Sequence, residues 1–186
     1  MRPAWVAGLA LLAMGGGCSR EKALPVYWQV PAFQLTWQAS KPFDSSLLDG
    51  KIWVADFIYT NCPGPCPRLS SQMRGIQTAI ARMPDVKLVS FTVDPARDTP
   101  EVLLAYAGRY RAIPGRWYFL TGEPAVLQTL CREGFKLGDV GGNMTHSTRF
   151  VLVDRHRRIR GFYGAQDDSG VPILLHDIRR LRAEQS

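Results

Sequence analysis

The feature that most constrains the fold is an almost continuous run of apolar residues at positions 52–59, interrupted only by Asp56. Such a run is typical of a central strand that is covered on both faces. Residues 86–93 predict a second buried strand, and residues 33–37 alternate apolar and polar as a half-buried strand does. We therefore expect a sheet with a layer of structure on each side.

Helical patterns separate these strands. An apolar stripe after Pro67 recurs at helical spacing, at Leu69, Met73, Ile76 and Ile80. Thr99, Pro100 and Glu101 supply an N-cap, a proline at the first helical position and an early acid, so a helix is expected to begin there.

The remaining elements complete an α/β pattern. We expect a strand at 116–120, a helix at 124–131, an antiparallel hairpin from 150–153 and 159–163, and a last helix. The last helix has one apolar face, formed by Val171, Leu174, Leu175, Ile178 and Leu181. The order predicts a mainly parallel central sheet with helices on both faces, closed by the antiparallel hairpin.

Length and composition indicate one domain. The chain has 186 residues, of which 46% are hydrophobic and 21% charged, and this excludes a disordered or low-complexity protein. Its 13 prolines and 17 glycines exclude a plain helical bundle. We find no internal repeat and no second domain.

The first 17 residues have the order of a signal peptide, with one positive charge, a short apolar run and small residues. Cys18 follows directly, as in bacterial lipoprotein signals, where that cysteine carries the lipid. Ordinary cleavage that leaves a surface Cys18 is the alternative. We expect a signal peptide at 1–17, a tether at 18–31 and a domain at 32–186, exported and anchored to a membrane facing the periplasm or the cell exterior.

The chain has a formal net charge of +7. For an exported protein this excess favours an anionic lipid surface or an acidic protein patch over nucleic acid. The arginine-rich stretch is expected to be a solvated hairpin turn; it contains Arg155, Arg157, Arg158 and Arg160.

The motif that carries chemistry is Cys62-Pro63-Gly64-Pro65-Cys66-Pro67, between the central strand and the following helix. Pro67 suits the first position of that helix, and Cys66 then lies at a helix N-terminus, where the dipole is expected to lower the pKa of its thiol. Three residues separate the cysteines. Two soft thiolates favour one Cu(I) ion, with Zn(II) as the competitor and an inert buried pair as the structural alternative.

The sequence offers one obvious third ligand for a metal held by the dithiol. His146, in a glycine-rich loop before the strand at 150–153, is the candidate, although a lone loop histidine is often a solvated bystander. Met144 could add a thioether or only a loop contact. His156 and His176 are expected to be structural or to face solvent, and Cys131 to be a small buried hydrophobe.

Three ordered motifs resemble the Sco/SenC copper-chaperone family: the segment from Asp56 to Pro67, the segment from Val89 to Glu101, and Thr145-His146-Ser147. The resemblance covers roughly residues 33–180. It implies a thioredoxin-like fold in which Cys62, Cys66 and His146 bind one copper ion. It also implies delivery of copper, or of reducing equivalents, to the dinuclear copper centre of cytochrome c oxidase.

This resemblance sets the expected partners. They are the copper-bearing subunit of the oxidase and a thiol reductant protein, since Cys62 and Cys66 should form a disulfide when empty in an oxidising compartment. An acid near the dithiol, Asp94 or Asp98, could tune copper affinity or dock a partner; a turn cap or an ion pair with Arg97 is the alternative.

The sequence departs from the family in one informative place, and rival functions stay open. Gly64 and Pro65 replace the acidic and apolar residues that many family members carry between the cysteines, which affects partner choice more than metal binding. The rival functions are a thiol–disulfide oxidoreductase or peroxidase that uses Cys62 and Cys66, and a redox or copper sensor.

Overall fold

The computed structural model describes residues 22–137 and 148–184. In this part of the chain the elements are, in order, β1 (Gln34–Trp37), β2 (Lys41–Asp44), β3 (Ile52–Ile58), α1 (Pro65–Ala79), β4 (Val86–Thr92), α2 (Pro100–Arg109), β5 (Trp117–Thr121), α3 (Pro124–Thr129), β6 (Arg149–Val153), β7 (Ile159–Gly164) and α4 (Gly170–Glu184). A 3₁₀ turn, Ser45–Leu48, precedes β3, and a π-helical turn, Leu130–Gly134, extends α3.

The described strands form one sheet in the order β2-β1-β5-β4-β3-β6-β7. β3, β4 and β5 are parallel, and the strands on either side of them pair antiparallel. The predicted α/β fold with its C-terminal hairpin is confirmed, and the sheet is mixed, with its parallel part at the centre. No sequence pattern predicts β2, because this edge strand contains Pro42 and buries only Phe43.

Both faces of the sheet are covered. On one face Ile52, Val54 and Ile58 of β3 belong to a core that α1, α2 and α4 complete. On the other face Trp53, Ala55 and Phe57 belong to a core that includes β1, β2 and the α3 region. A strand with a core on each of its faces buries every side chain, which explains the run at 52–59 with Asp56 as its only polar residue. Cys131 is buried in the second core, as predicted.

The described part of the predicted tether packs against the sheet. Leu24 and Val30 are buried, and the backbone N–H groups of Tyr27 and Val30 donate to the carbonyls of Ile159 and Arg157. The prediction of a tether as far as residue 31 is therefore too long. An aperiodic segment held by backbone hydrogen bonds has no side-chain pattern that the sequence could reveal.

Arg160 corrects a second expectation. Its side chain is only 4% exposed, and its guanidinium pairs with Asp154 at 3.1 Å and with Glu184 at 2.7 Å. The prediction that all four arginines of the hairpin are solvated is wrong for Arg160, because β7 directs this side chain between the hairpin turn and the end of α4.

In residues 22–137 and 148–184 no helix is long and apolar enough to cross a membrane.

Asp56 is a fully buried carboxyl in the middle of β3. The Ser90 hydroxyl donates to its Oδ1 at 2.5 Å, and its Oδ2 has no hydrogen-bond partner within the described ranges. Burial raises the pKa of Asp56 to about 7. A carboxyl whose pKa is higher in the folded protein than in the unfolded chain stabilises the fold while it is protonated. That contribution is lost as the pH rises from the pKa of the unfolded chain to the folded-state pKa of about 7.

We expect Asp56→Asn to remove this loss. At each pH we subtract the free energy of unfolding of wild type from that of the variant. This difference should be more positive at about pH 8 than at about pH 5, by about 1 to 4 kcal/mol. Chemical denaturation at both pH values measures the difference. A difference that does not change with pH would contradict the raised pKa.

Asp154→Asn is the control of opposite sign. Burial opposes ionisation of Asp154, but hydrogen bonds from the backbone of Arg158 and His156 and from the Arg158 side chain hold its pKa below the usual value. Its replacement should destabilise the protein at neutral pH, and the loss should shrink as the solution is acidified through the folded-state pKa.

Candidate metal and redox site

The dithiol lies at the carboxyl end of β3, where the chain turns into α1. α1 begins at Pro65, two residues before the predicted start, and Gly64 is its N-cap without a side-chain hydrogen bond. Prolines fit the first turn of a helix because the N–H groups there have no intrahelical acceptor. Cys66 is thereby the second residue of α1, and Cys62 lies in the turn before it.

The structure brings the two cysteines together. Cys62 and Cys66 are 8% and 5% exposed, and both are free thiols. The backbone N–H of Cys66 donates to Cys62 Sγ at 3.5 Å, and the N–H of Cys62 donates to the Tyr59 carbonyl at 3.3 Å. Both cysteines belong to the same core as Leu69 and Met73, so the pair is nearly dry.

The two thiols differ in acidity. Burial opposes ionisation of Cys62, but hydrogen bonds from the Cys66 thiol, from the N–H groups of Cys66 and Gly64, and from Tyr59 outweigh it and lower the pKa of Cys62. Burial, together with the hydrogen bond that its thiol gives to Cys62, raises the pKa of Cys66 to about 12. The prediction that Cys66 has the lowered pKa is wrong, because burial outweighs the helix dipole at this position.

Tyr59 is a site residue that the sequence did not single out. Its hydrogen bond with Cys62 stabilises the thiolate and raises the pKa of Tyr59 itself. The sequence does place Tyr59 close to the dithiol, three residues before Cys62. An aromatic residue at the end of an apolar strand is ordinary core composition, however, so the sequence does not separate the two roles.

Asp98 fixes the chain that leads to Cys62. Its buried carboxylate accepts from the Thr60 backbone N–H at 3.1 Å, from Thr60 Oγ1 at 2.5 Å and from Thr92 Oγ1 at 2.5 Å. It thus ties the segment before Cys62 to the end of β4. Asp94 instead pairs with Arg97 at 3.3 Å, which was the alternative for this residue.

Three of the predicted site residues lie outside the described ranges: Cys18, Met144 and His146. Within residues 22–137 and 148–184, His, Cys, Asp and Glu form no group of three that could hold a metal ion. The structure therefore shows the dithiol and its hydrogen-bond partners, and the three-ligand set stays a prediction.

We expect Cys62 to be the first cysteine alkylated by iodoacetamide in the reduced, metal-free protein, since its thiolate is the more populated. Tyr59→Phe removes a donor to that thiolate and should slow the reaction at neutral pH. Alkylation rates against pH, with mass-spectrometric mapping of the labelled cysteine, measure both effects.

Tyr118→Phe is the matched control, because its hydroxyl donates to the Gly115 carbonyl and does not contact the dithiol. Cys131, only 1% exposed, should stay unlabelled in the folded protein. Faster labelling of Cys66 than of Cys62 would contradict the assigned asymmetry.

Comparison with known proteins agrees with this architecture. A Stutzerimonas stutzeri protein that carries the provisional name of a copper-binding protein is 36% identical over 168 residues, covering 85% of this chain and 77% of the relative. A SCO1/SenC family lipoprotein from Bacillus anthracis superposes with a TM-score of 0.75 at 32% identity, covering 83% of this chain and 95% of that one.

A second solved structure is that of BsSco, a member of the Sco family of cytochrome c oxidase assembly proteins in which a disulfide switch has been identified. It superposes with a TM-score of 0.78 at 28% identity, covering 88% of this chain and 98% of that one. The sequence profile of the SCO1/SenC family matches residues 26–182, and with its dithiol turn and thioredoxin-like sheet this chain belongs to the SCO1/SenC family.

Proposed function

We propose that this protein is an exported copper chaperone that binds one copper ion through Cys62, Cys66 and His146 and delivers it to the copper-bearing subunit of cytochrome c oxidase. The observation that carries the proposal is the pair of adjacent thiols at the carboxyl end of the central strand. The provisional name of the Stutzerimonas stutzeri relative supports copper as the cargo, and BsSco supports the role in oxidase assembly.

The donor set suits a soft ion. Two thiolates favour Cu(I), whereas zinc prefers four ligands. The Cys62 thiolate is already favoured, but Cys66 holds its proton strongly because burial raises its pKa to about 12. Copper must displace that proton, so loading releases a proton and should strengthen as the pH rises.

The fold supports His146 as the third ligand. β6 runs antiparallel to β3, with Ala55 opposite Val151, so its first residue, Arg149, lies at the same end of the sheet as the dithiol. His146 precedes Arg149 by three residues. An extended chain of three residues spans at most about 10 Å, a reach that supports His146 as a ligand at this end of the sheet.

The surrounding residues give the site its properties. Asp98 positions the segment that carries Cys62. The Tyr59 hydroxyl donates a hydrogen bond to Cys62 and so stabilises its thiolate. A site with three protein ligands leaves copper open to an incoming thiolate, so transfer proceeds by exchange of one ligand at a time. Export follows from the signal peptide at 1–17, and the Bacillus anthracis lipoprotein supports an anchor at Cys18.

We expect the anaerobically reduced protein to bind one Cu(I) ion, Cys66→Ala to abolish that binding and His146→Ala to weaken it by at least tenfold. Metal content by elemental analysis and competition with a Cu(I) chelator measure stoichiometry and affinity.

Two variants are matched controls. Cys131→Ala removes a buried cysteine of the other core, and His176→Ala removes a histidine whose side chain is 58% exposed on α4. Both should bind copper as wild type does. Equal copper uptake by wild type, Cys66→Ala and His146→Ala would disprove the proposed site.

The unequal thiols also favour a second function, reduction of an acceptor's disulfide. The Cys62 thiolate would attack one sulfur of that disulfide and expel the other as a thiolate. Cys66, after losing its proton, would then attack the Cys62 sulfur and release the second acceptor thiolate. This step oxidises the protein's dithiol to a disulfide and reduces the acceptor by two electrons.

We expect reduced, metal-free Cys66→Ala to accumulate a mixed disulfide between Cys62 and glutathione when oxidised glutathione is added, because the resolving thiol is missing. Mass spectrometry of the adduct measures this. Wild type should release the glutathione as its own disulfide forms, and His146→Ala should behave as wild type. Absence of an adduct on Cys62 would contradict the second function.

A further inference from the structure

Arginines are concentrated at the end of the sheet opposite the dithiol. Asp85 lies at this end, because the next residue, Val86, pairs with Ile52, the first residue of β3. Trp53 pairs with Val153, at the start of the turn that carries Arg155. The seven residues of β3 separate this end from the dithiol by about 20 Å.

Three arginines from two elements line one open cleft here. The cleft has a volume of about 290 Å³ and is lined by Arg155, Arg179, Arg182 and Ala183. We call Arg155, Arg179 and Arg182 the arginine end. Asp85 Oδ2 accepts from Arg155 and from Arg182, both at 3.0 Å, and so holds two of the guanidinium groups at the cleft.

The charge of this end is positive. The segments that carry these arginines, residues 154–158 and 177–184, contain six arginines and three acidic residues, and Asp85 adds a fourth acid, which leaves a net charge of +2. Arg179 is exposed on α4. Guanidinium groups are always charged and pair well with phosphate, so a cleft with three of them favours phosphate groups even though Arg155 and Arg182 also pair with Asp85.

The N-terminal segment leaves the domain at the same end. An Arg180 nitrogen donates to the Lys22 carbonyl, and the Leu24 N–H donates to Glu184 at 2.7 Å in the last turn of α4. Cys18 precedes Lys22 by four residues. Four residues span at most about 14 Å, so a lipid on Cys18 would hold this end of the domain close to the membrane surface.

We propose that the arginine end docks on the anionic phospholipid headgroups of the membrane that anchors Cys18, so that the dithiol faces away from the lipid. This inference rests on the lipid anchor of the proposed function. The link from Cys18 to Lys22, at most about 14 Å long, is less than twice the screening length of about 8 Å at physiological salt, so the headgroup field still acts on the arginines. The positive charge of the arginine end and the position of the N-terminal segment both place this end of the domain toward the membrane.

Arginine footprinting of the full lipidated protein tests this orientation. The protein is reconstituted into vesicles of phosphatidylcholine, with or without phosphatidylglycerol, and treated with phenylglyoxal; mass spectrometry then gives the modification rate of each arginine. Phosphatidylglycerol should slow modification of Arg179 and Arg182. Arg68 and Arg97, exposed at the dithiol end, should not change and serve as internal controls.

Charge-removal variants sharpen the test. Each arginine near an anionic surface favours docking by a factor of about 5, so Arg155→Gln/Arg179→Gln should lower the docked-to-free ratio about 25-fold and expose Arg182. Arg68→Gln/Arg97→Gln removes the same charge from the dithiol end and should leave protection of Arg182 intact. Arg179→Gln alone, with a loss of about 5-fold, covers the case in which the double variant is unstable.

Four results would overturn the proposal: equal rates with both vesicle types, equal protection of every arginine, the same protection by inorganic phosphate in phosphatidylcholine vesicles, and a Cys18 without lipid in the mass spectrum. Copper loading is measured on the same samples. A protein that loads copper but shows no phosphatidylglycerol effect refutes the docking alone, whereas one that docks without loading copper refutes the proposed cargo.

Discussion

The placement of β3 is the constraint on which the rest of the structure depends. β4 and β6 pair with its two edges, and a core packs on each of its faces, so its carboxyl end is held in one position. Cys62 leaves from that end, and α1 returns from it with Cys66. A dithiol on a mobile loop would lose conformational entropy on binding a ligand, whereas this dithiol is already held in place by the fold.

Burial and hydrogen bonding act in opposite directions on the two sulfurs. Cys66 packs deeper and gives its proton to a hydrogen bond, whereas Cys62 receives donors from Tyr59 and from the first turn of α1. The same asymmetry serves both proposed roles. It provides one ready thiolate for an incoming ion or disulfide, and one thiol that reacts only after its proton has left.

The two ends of the sheet separate the chemistry from the proposed attachment. The cysteines and Asp98 lie at the carboxyl end of β3, and the arginine end and the exit of the N-terminal segment lie at the other. A parallel sheet centre produces this division, because all βα turns of its strands fall on one side. A domain docked by its arginine end would present copper to an acceptor on the side away from the lipid.

The sequence by itself determined the alternation of strands and helices, the position of the dithiol between β3 and α1, and the family, because these depend on apolar period, proline placement and motif order. Only the tertiary structure decided which thiol is the acid, since burial and donors from Tyr59 and Gly64 are set by packing. It also decided that Asp98 rather than Asp94 contacts the Cys62 segment, that Arg160 is buried, and that residues 24–30 pack on the sheet. The contacts of Asp98, Arg160 and residues 24–30 join parts of the chain that are far apart, and the burial of each thiol depends on how the two cores pack, so no local pattern encodes these outcomes.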